Sequence, residues 1–472
     1  MLNPIVILII GVALLIAMML VLRLNAFVAL ITTAMVISML SPGDFADKIA
    51  RVGKAFGGVA GGIGIVIAMA AIIGKCMMDS GAADRIVRSF LKLLGEKRAP
   101  TALMLSGFAL SIPVFFDTVF YLLVPLARSL WSRTRKNYVL YLTAIVAGAA
   151  ITHTLVPPTP GPLFMASELK VNVGLMMVMG LLVGLPTAAL GVLVCKVINR
   201  RMDIPMRPYA GEAEPEPLDD DQLPGFWISF APIALPIILI SWNTVNTAIG
   251  KDNLAKLIAV VLPGDALAHS ISEALVQTAA VLGHRDSALL LAAAVAMFVL
   301  VRQRRLSFRE LASRSETALM SAGMIILITA AGGAFGAMLR EAGIKDVLGE
   351  LVGAQGGLVI LLMAAAVASV MKFAQGSGTV SMITTVGIFA AMDISPQMLG
   401  CNPVYLAMAI GSGSLVGDWM NNSGFWIFAR MGGLTEIESL KSWTILTAAL
   451  GVIGLGFTLL LAYIMPMMPA AS

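Results

Sequence analysis

A lysine in the middle of a long apolar run is the first residue of this chain to demand a chemical reason. Lys372 is the only charged residue between Gly357 and Ala391. Its ammonium suits a solute that bears a carboxylate; the other reading is a stem that snorkels its head to an interface. Just beyond it, Gln375, Gly376, Ser377 and Thr379 in QGSGTVSM supply a flexible backbone, hydroxyls and exposed amides at the tip of a turn. This is not a phosphate-binding loop, because Lys-Ser/Thr does not follow the glycines at the required spacing. A second polar stretch, GSGSLVGDWMNNSGFW from Gly411 to Trp426, holds Gly413, Ser414, Asp418, Asn421 and Asn422. Its carboxylate and amides can bond the hydroxyls of a polyol or a coupling ion. The competing reading is a polar interfacial turn with Trp419 and Trp426 as headgroup anchors.

The first half carries two comparable stretches. SIPVFFDTVF puts Asp117 inside an apolar run, where a carboxylate is expensive and by default functional. It can carry a proton or bind a cation, or it can cap the helix that follows. In THTLVPPTPGP, His153 precedes four prolines that enclose Thr159 and Gly161. With an ordinary pKa near ~6.5, a histidine there can shuttle protons, or it can simply bond a neighbouring helix. Proline removes a donor and blocks the helix. The carbonyls it frees, and the N-terminus of the next half-helix, are expected to face a ligand, since helix N-termini attract anions; an ordinary loop is the alternative. Asp117, His153 and Asp418 are therefore the candidates for a coupled proton or ion. Thr159, Gly161, Lys372, Gln375, Gly376, Ser377, Thr379, Gly413, Ser414, Asn421 and Asn422 are the candidates for solute binding. No metal spacing, cofactor motif or nucleophile motif accompanies them, which speaks against an enzyme. The glycines of GGVAGGIG, Gly57 to Gly64, read as close helix packing, and His269 and His284 as solvated residues of a long outer loop.

The elements that position these residues must lie in a membrane. Of 472 residues, 58% are hydrophobic and 12% charged, and the mean hydropathy is +0.92. A soluble surface needs far more charge. Apolar runs long enough to cross ~30 Å of hydrocarbon recur throughout, and the first, Pro4 to Leu22, lacks the flanks of a cleaved signal peptide. Cys76, Cys195 and Cys401 lie far apart, without disulfide or zinc spacing. The net charge of +5 fits loop lysines and arginines rather than nucleic-acid binding.

The reading is an all-α polytopic membrane protein in two halves. Residues 1–198 form a first repeat with spans near 4–22, 24–40, 57–74, 138–162 and 173–197. A proline- and acid-rich linker covers 199–225. Residues 226–472 form a second repeat with spans near 226–244, 287–301, 318–339, 402–428 and 443–465. Each half also has an interrupted apolar region, near 101–127 and 356–392, that reads as a re-entrant hairpin; such backbone survives at membrane depth only inside protein or along a cavity. Five spans per half put the N-terminus and the linker on opposite faces and invert one half relative to the other. On that layout 22 Lys and Arg share the linker's face and nine lie on the other, so the linker is expected in the cytoplasm and both termini outside. Matched interruptions in inverted halves point to a transporter's mid-membrane site.

At these motifs the sequence resembles the gluconate permease family, bacterial inner-membrane symporters of sugar acids. The resemblance rests on THTLVPPTPGP, GSGTVSMIT, GSGSLVG followed by SGFWIF, and LKSW at 440–443. It implies the wider ion-transporter superfamily fold, with inverted repeats, paired hairpins and elevator-type movement, and H⁺-coupled uptake, commonly of gluconate. The sequence departs from the family pattern in several places. Thr159 stands where that pattern has histidine, and Asp117 where it usually has glutamate. Asp418 to Gly424 reads DWMNNSG in place of a histidine- and aspartate-bearing run. Lys372 falls where arginine is frequent.

The expected function is symport of a small hydroxylated carboxylate, gluconate or a related sugar acid, with H⁺. Na⁺ as coupling ion, glycerate or a hydroxy-amino acid as solute, and a passive channel are the alternatives. The partners are then a small organic anion, the coupling ion and the bilayer, with no nucleic acid and no cofactor; a homodimer is left open.

Overall fold

Apolar runs without water to serve their amides and carbonyls fold as helices. The computed structural model describes residues 3–202, 204–207, 222–261, 265–343 and 356–468, and among these there are helices and no strand. Among the described residues eight helices are long and apolar enough to cross a membrane, Gly357–Gln375 of the second interrupted region among them, whereas the apolar helices Pro4–Met19 and Ala26–Leu40 are shorter. The expected spans lie on Pro4–Ile16, which runs on through a π-helical turn Ala17–Val21, and on Ala26–Leu40, Asp47–Ser80, Val173–Arg201, Phe226–Ile249, Arg285–Arg304, Phe308–Glu341 and Ile445–Ile464. The first interrupted region is the helix pair Ala99–Leu110 and Phe116–Thr134, and the second is Gly357–Gln375 and Gly378–Ala391. The two broken spans are Tyr138–Leu155 with Pro160–Glu168, and Val404–Gly413 with Ser423–Gly432.

Packing follows one plan in both halves. The first arm of each hairpin lies on the first helix of its own broken span, and that helix lies on the following long span, Val173–Arg201 or Ile445–Ile464. The second arms cross over: Phe116–Thr134 packs on Ser423–Gly432, and Gly378–Ala391 on Pro160–Glu168. Around this crossing, Asp47–Ser80 and Phe308–Glu341, each 34 residues long, pack on one another. Close approach demands glycine where hairpin meets broken span: a Cβ on Gly148 would stand 1.9 Å from the Met104 carbonyl oxygen.

Several local expectations are corrected. Gly57, Gly58, Gly61 and Gly62 have nothing within 4 Å of a would-be Cβ, and in this run only Gly64 meets a neighbour, Ile326 at 3.8 Å, so four of the five glycines are not at a packing seam among the described residues. The stretch read as a long outer loop holds the helices Lys251–Val261 and Asp265–Leu282, with His269 exposed on the second and His284 as N-cap of Arg285–Arg304. The basic segment 75–98, between the expected span at 57–74 and the first interrupted region, contains the helix Ala82–Leu94, which buries Ala83, Ile86 and Val87. Most of the linker, residues 203 and 208–221, lies outside the described residues. Its described ends are pinned: Arg85 Nε donates to the Pro224 carbonyl, and Arg207 makes a two-pronged bond to Glu438, both prongs 2.7 Å.

Candidate functional site

The ends of the hairpins and broken spans meet at a cavity of about 390 Å³, within the ~300–1,000 Å³ typical of small-molecule sites. The first hairpin contributes Phe115, Phe116, Asp117 and Thr118; the second contributes Lys372, Ser377, Gly378 and Thr379. The first broken span brings His153 and Thr154, the C-terminal end of Tyr138–Leu155. The second brings Ser414, Leu415, Asp418, Asn422, Ser423 and Gly424. Ser321 and Ile325 come from Phe308–Glu341, and Trp443 from a π-helical turn, Leu440–Thr444, a distortion frequent at functional sites.

Lys372 does not snorkel. Its side chain is 3% exposed, and its Nζ lies 2.9 Å from Asp418 Oδ2 and donates to the Gly376 carbonyl at 2.7 Å. The ammonium also lies 3.8 Å from where a Cβ on Gly378 would stand, at the N-terminus of Gly378–Ala391. A helix N-terminus repels a cation, so this placement calls for an anion, and Asp418 supplies it. Asp418 is held in turn by the Asn422 amide, which donates to both of its oxygens at 2.9 Å. Asn422 Oδ1 caps Ser423–Gly432 by accepting from the Gly424 amide at 3.1 Å. A lysine and an amide thus converge on one carboxylate, in a cavity that two half-helix N-termini also line.

Asp117 occupies the second position of Phe116–Thr134; Phe115 is the N-cap and makes no side-chain bond. Asp117 is therefore not the cap, although a carboxylate in the first turn gains from the helix dipole. His153 sits edge-on to Phe115 with ring centres 6.2 Å apart, and its Nδ1 has no partner among the described residues. The indole Nε1 of Trp443 is buried without one as well. Unpaired buried donors and acceptors are costly, and a polar ligand is one way to satisfy them. Ser377 spends its hydroxyl on the amide of Val380 at 3.3 Å, and Ser414 on the carbonyl of Gly411 at 2.7 Å.

Of the residues singled out from sequence, Asp117, His153, Lys372, Ser377, Thr379, Ser414, Asp418 and Asn422 line this one cavity. The other six do not. Thr159 closes its own break, its hydroxyl bonding the Val156 carbonyl at 2.6 Å, and it touches a narrow crevice with Pro113 and Phe115. The Val156 carbonyl is thus satisfied by the chain itself, and the Pro157–Pro158 bond is cis. Gly161 makes room for Met382, whose Cε lies 2.2 Å from a would-be Cβ, and Gly413 does the same for the Ala365 carbonyl at 2.3 Å. Gly376 has φ +79° and allows the Asn421 carbonyl to 2.2 Å of a would-be Cβ. Asn421 spends its amide on the Phe373 carbonyl at 2.7 Å, beside Trp419, which stacks on the Phe373 ring. Gln375 reaches only the Met371 sulfur, at 3.6 Å. Gln375 and Gly376 thus shape the second hairpin's tip, and Thr159, Gly161, Gly413 and Asn421 the two broken spans, outside the cavity lining. Thr118, Thr154, Ser321 and Trp443 were missed. The first two adjoin residues that were noticed; Ser321 sits in a span with no polar signal of its own. Among the described residues no three His, Cys, Asp or Glu side chains are grouped to hold a metal.

Comparison with known proteins agrees with this geometry. The family model described as GntP family permease matches residues 3–464. The gluconate permease of Pseudomonas aeruginosa is 33% identical over 449 residues, 94% of this chain and 94% of that protein. The low-affinity gluconate transporter of Escherichia coli K12 is 30% identical over 92% of each chain. Among solved structures, Neisseria gonorrhoeae MtrF, titled as one of a class of antimetabolite efflux pumps, shares the fold with a TM-score of 0.65 at 16% identity, covering 94% of this chain and 96% of that one. A multi-pass helical protein matched over nearly its whole length by a permease model and by permeases of like size is a transport protein rather than an enzyme, and the chain belongs to the GntP permease family.

Proposed function

We propose that the protein is a secondary transporter that carries gluconate or a related small sugar acid into the cell together with H⁺. The observation that carries this reading is the convergence of Lys372, Asp418 and two half-helix N-termini on a cavity edged with hydroxyls and amides. Lys372 and the N-terminus at Gly378 bind the carboxylate, which a cation and aligned amides favour together. Thr118, Thr154, Thr379 and Asn422 meet the hydroxyls, while Asp117, His153 and Asp418 are the groups able to take a proton. The names of the relatives, a gluconate permease and a gluconate transporter, support the solute class.

The same reading takes the two halves as inverted repeats, supported by their matched order of elements and of packing. Hairpins and broken spans form the moving unit of an elevator, and Asp47–Ser80 with Phe308–Glu341 its fixed support. The cavity lies where such a boundary would run, since Ser321 and Ile325 of Phe308–Glu341 face it. The excess of Lys and Arg on one face supports a linker on the cytoplasmic side of the bacterial inner membrane.

Proteoliposomes test the function directly. Labelled gluconate should accumulate when the interior is made alkaline and should ignore an imposed Na⁺ gradient. Absence of pH-driven uptake for gluconate and for related sugar acids would overturn the reading.

A further inference from the structure

One lysine and two carboxylates share the cavity, and the position best built for a carboxylate is already taken by the protein's own Asp418. Lys372 Nζ and the Asn422 amide both hold it, in a pair whose side chains are 3% and 4% exposed, and the helix N-termini at Gly378 and Ser423 line the same cavity. A solute carboxylate placed beside this pair would meet no free cation and two negative side chains, Asp418 and Asp117. A like charge at such range in a buried site disfavours ionisation, so one of the carboxyl groups must take up a proton. The titratable groups that face the pair across the cavity are Asp117 on the first hairpin and His153 on the first broken span. Neither is bonded to Lys372, so solute binding breaks no ion pair of theirs. Asp418 is the group that loses its partner.

We propose that Asp418 holds the place of the substrate's carboxylate: the entering anion takes over Lys372, and Asp418, released, takes up one proton from water. The inference rests on the function proposed above and adds the coupling step to it. Charge balances in both states. Before binding, Lys372 and Asp418 sum to zero; afterwards Lys372, the bound anion and the neutral Asp418 carboxyl also sum to zero. With Asp117 unchanged throughout, the unit that crosses the membrane carries the same charge loaded or unloaded, so the solute adds no net charge to what enters the low-dielectric interior. One proton per monoanion, with no net charge moved, is the consequence.

Equilibrium binding of labelled gluconate to the purified full-length protein tests this between about pH 5.5 and 8. Uptake of one proton per ligand weakens binding about tenfold for each pH unit. Asp418→Asn should bind gluconate with the same affinity, within about twofold, across that range. Asp418→Glu should regain the slope. In liposomes, an alkaline interior should drive accumulation while a potassium-diffusion potential alone should not. Should Asp418→Asn fail to fold, the wild-type slope and the proton count per gluconate, read with a pH dye, still decide. The exchange is overturned by pH-independent wild-type binding, by an unchanged slope in Asp418→Asn, by a slope lost in Asp117→Asn instead, or by uptake driven by potential alone. Failure of the wild type to bind any sugar acid at any pH removes the proposed function, and the exchange with it.

Discussion

Lys372 read from sequence is a cation waiting for a solute; in the folded chain it is half of an ion pair with Asp418, 46 positions away. That changes what a truncation should do. Lys372→Ala leaves Asp418 buried without its countercharge, and breaking a buried pair from one side costs about 3–5 kcal/mol. Replacing both residues by apolar ones of similar volume, Lys372→Met with Asp418→Leu, removes the uncompensated charge and should recover most of that loss. A double-mutant cycle on thermal or denaturant unfolding of the purified protein measures the coupling. If the two single variants and the double variant lose stability additively, the pair is not what holds Lys372 in place. The sequence identified both residues because a charge in an apolar run is conspicuous wherever it pairs. It could not pair them, since the contact depends on a hairpin tip and a broken span meeting across the fold.

The elements were more legible than their contacts. Hydrophobic runs and their interruptions marked the spans, both hairpins and both breaks, because helix length and proline position are local properties. What the glycines do is not local. GGVAGGIG carries a small-residue pattern, yet four of its five glycines have no neighbour within 4 Å of a would-be Cβ, while Gly148, alone in an ordinary apolar helix, admits the Met104 carbonyl. The proline-rich break likewise looked like ligand machinery, but Thr159 closes it internally, and a hydroxyl's choice of carbonyl cannot be read from spacing. The two kinds of glycine separate cleanly by substitution. Gly148→Ala drives a methyl into backbone and should cost about 1–3 kcal/mol by overpacking, or more if neither helix yields. Gly57→Ala meets nothing and should be neutral or stabilising by up to about 1 kcal/mol. Unfolding midpoints of the two variants in the same detergent provide the comparison; equal losses would mean that the packing of first hairpin arm on broken span is not what Gly148 serves.

At the scale of the whole molecule, the proposed orientation in the membrane rests on a charge count and can be tested at two points flanking one helix. Phe226–Ile249 has 24 residues, about 36 Å at the helical rise, enough to cross the hydrocarbon. Gln222 precedes it on the linker side and Lys256 follows it; both are exposed. If lysines and arginines are retained on the cytoplasmic face, the first position lies inside the cell and the second outside. The native thiols leave the measurement clean, because Cys76, Cys195 and Cys401 are all buried. A membrane-impermeant maleimide added to intact cells should therefore label Lys256→Cys and spare Gln222→Cys until the membrane is opened. The reverse pattern would invert the molecule. That would place the Arg207–Glu438 clasp, which ties the linker to the chain just after the second broken span, on the outer surface. Labelling of both positions in intact cells would mean that Phe226–Ile249 does not cross, and the odd number of spans that turns one half over relative to the other would be lost with it.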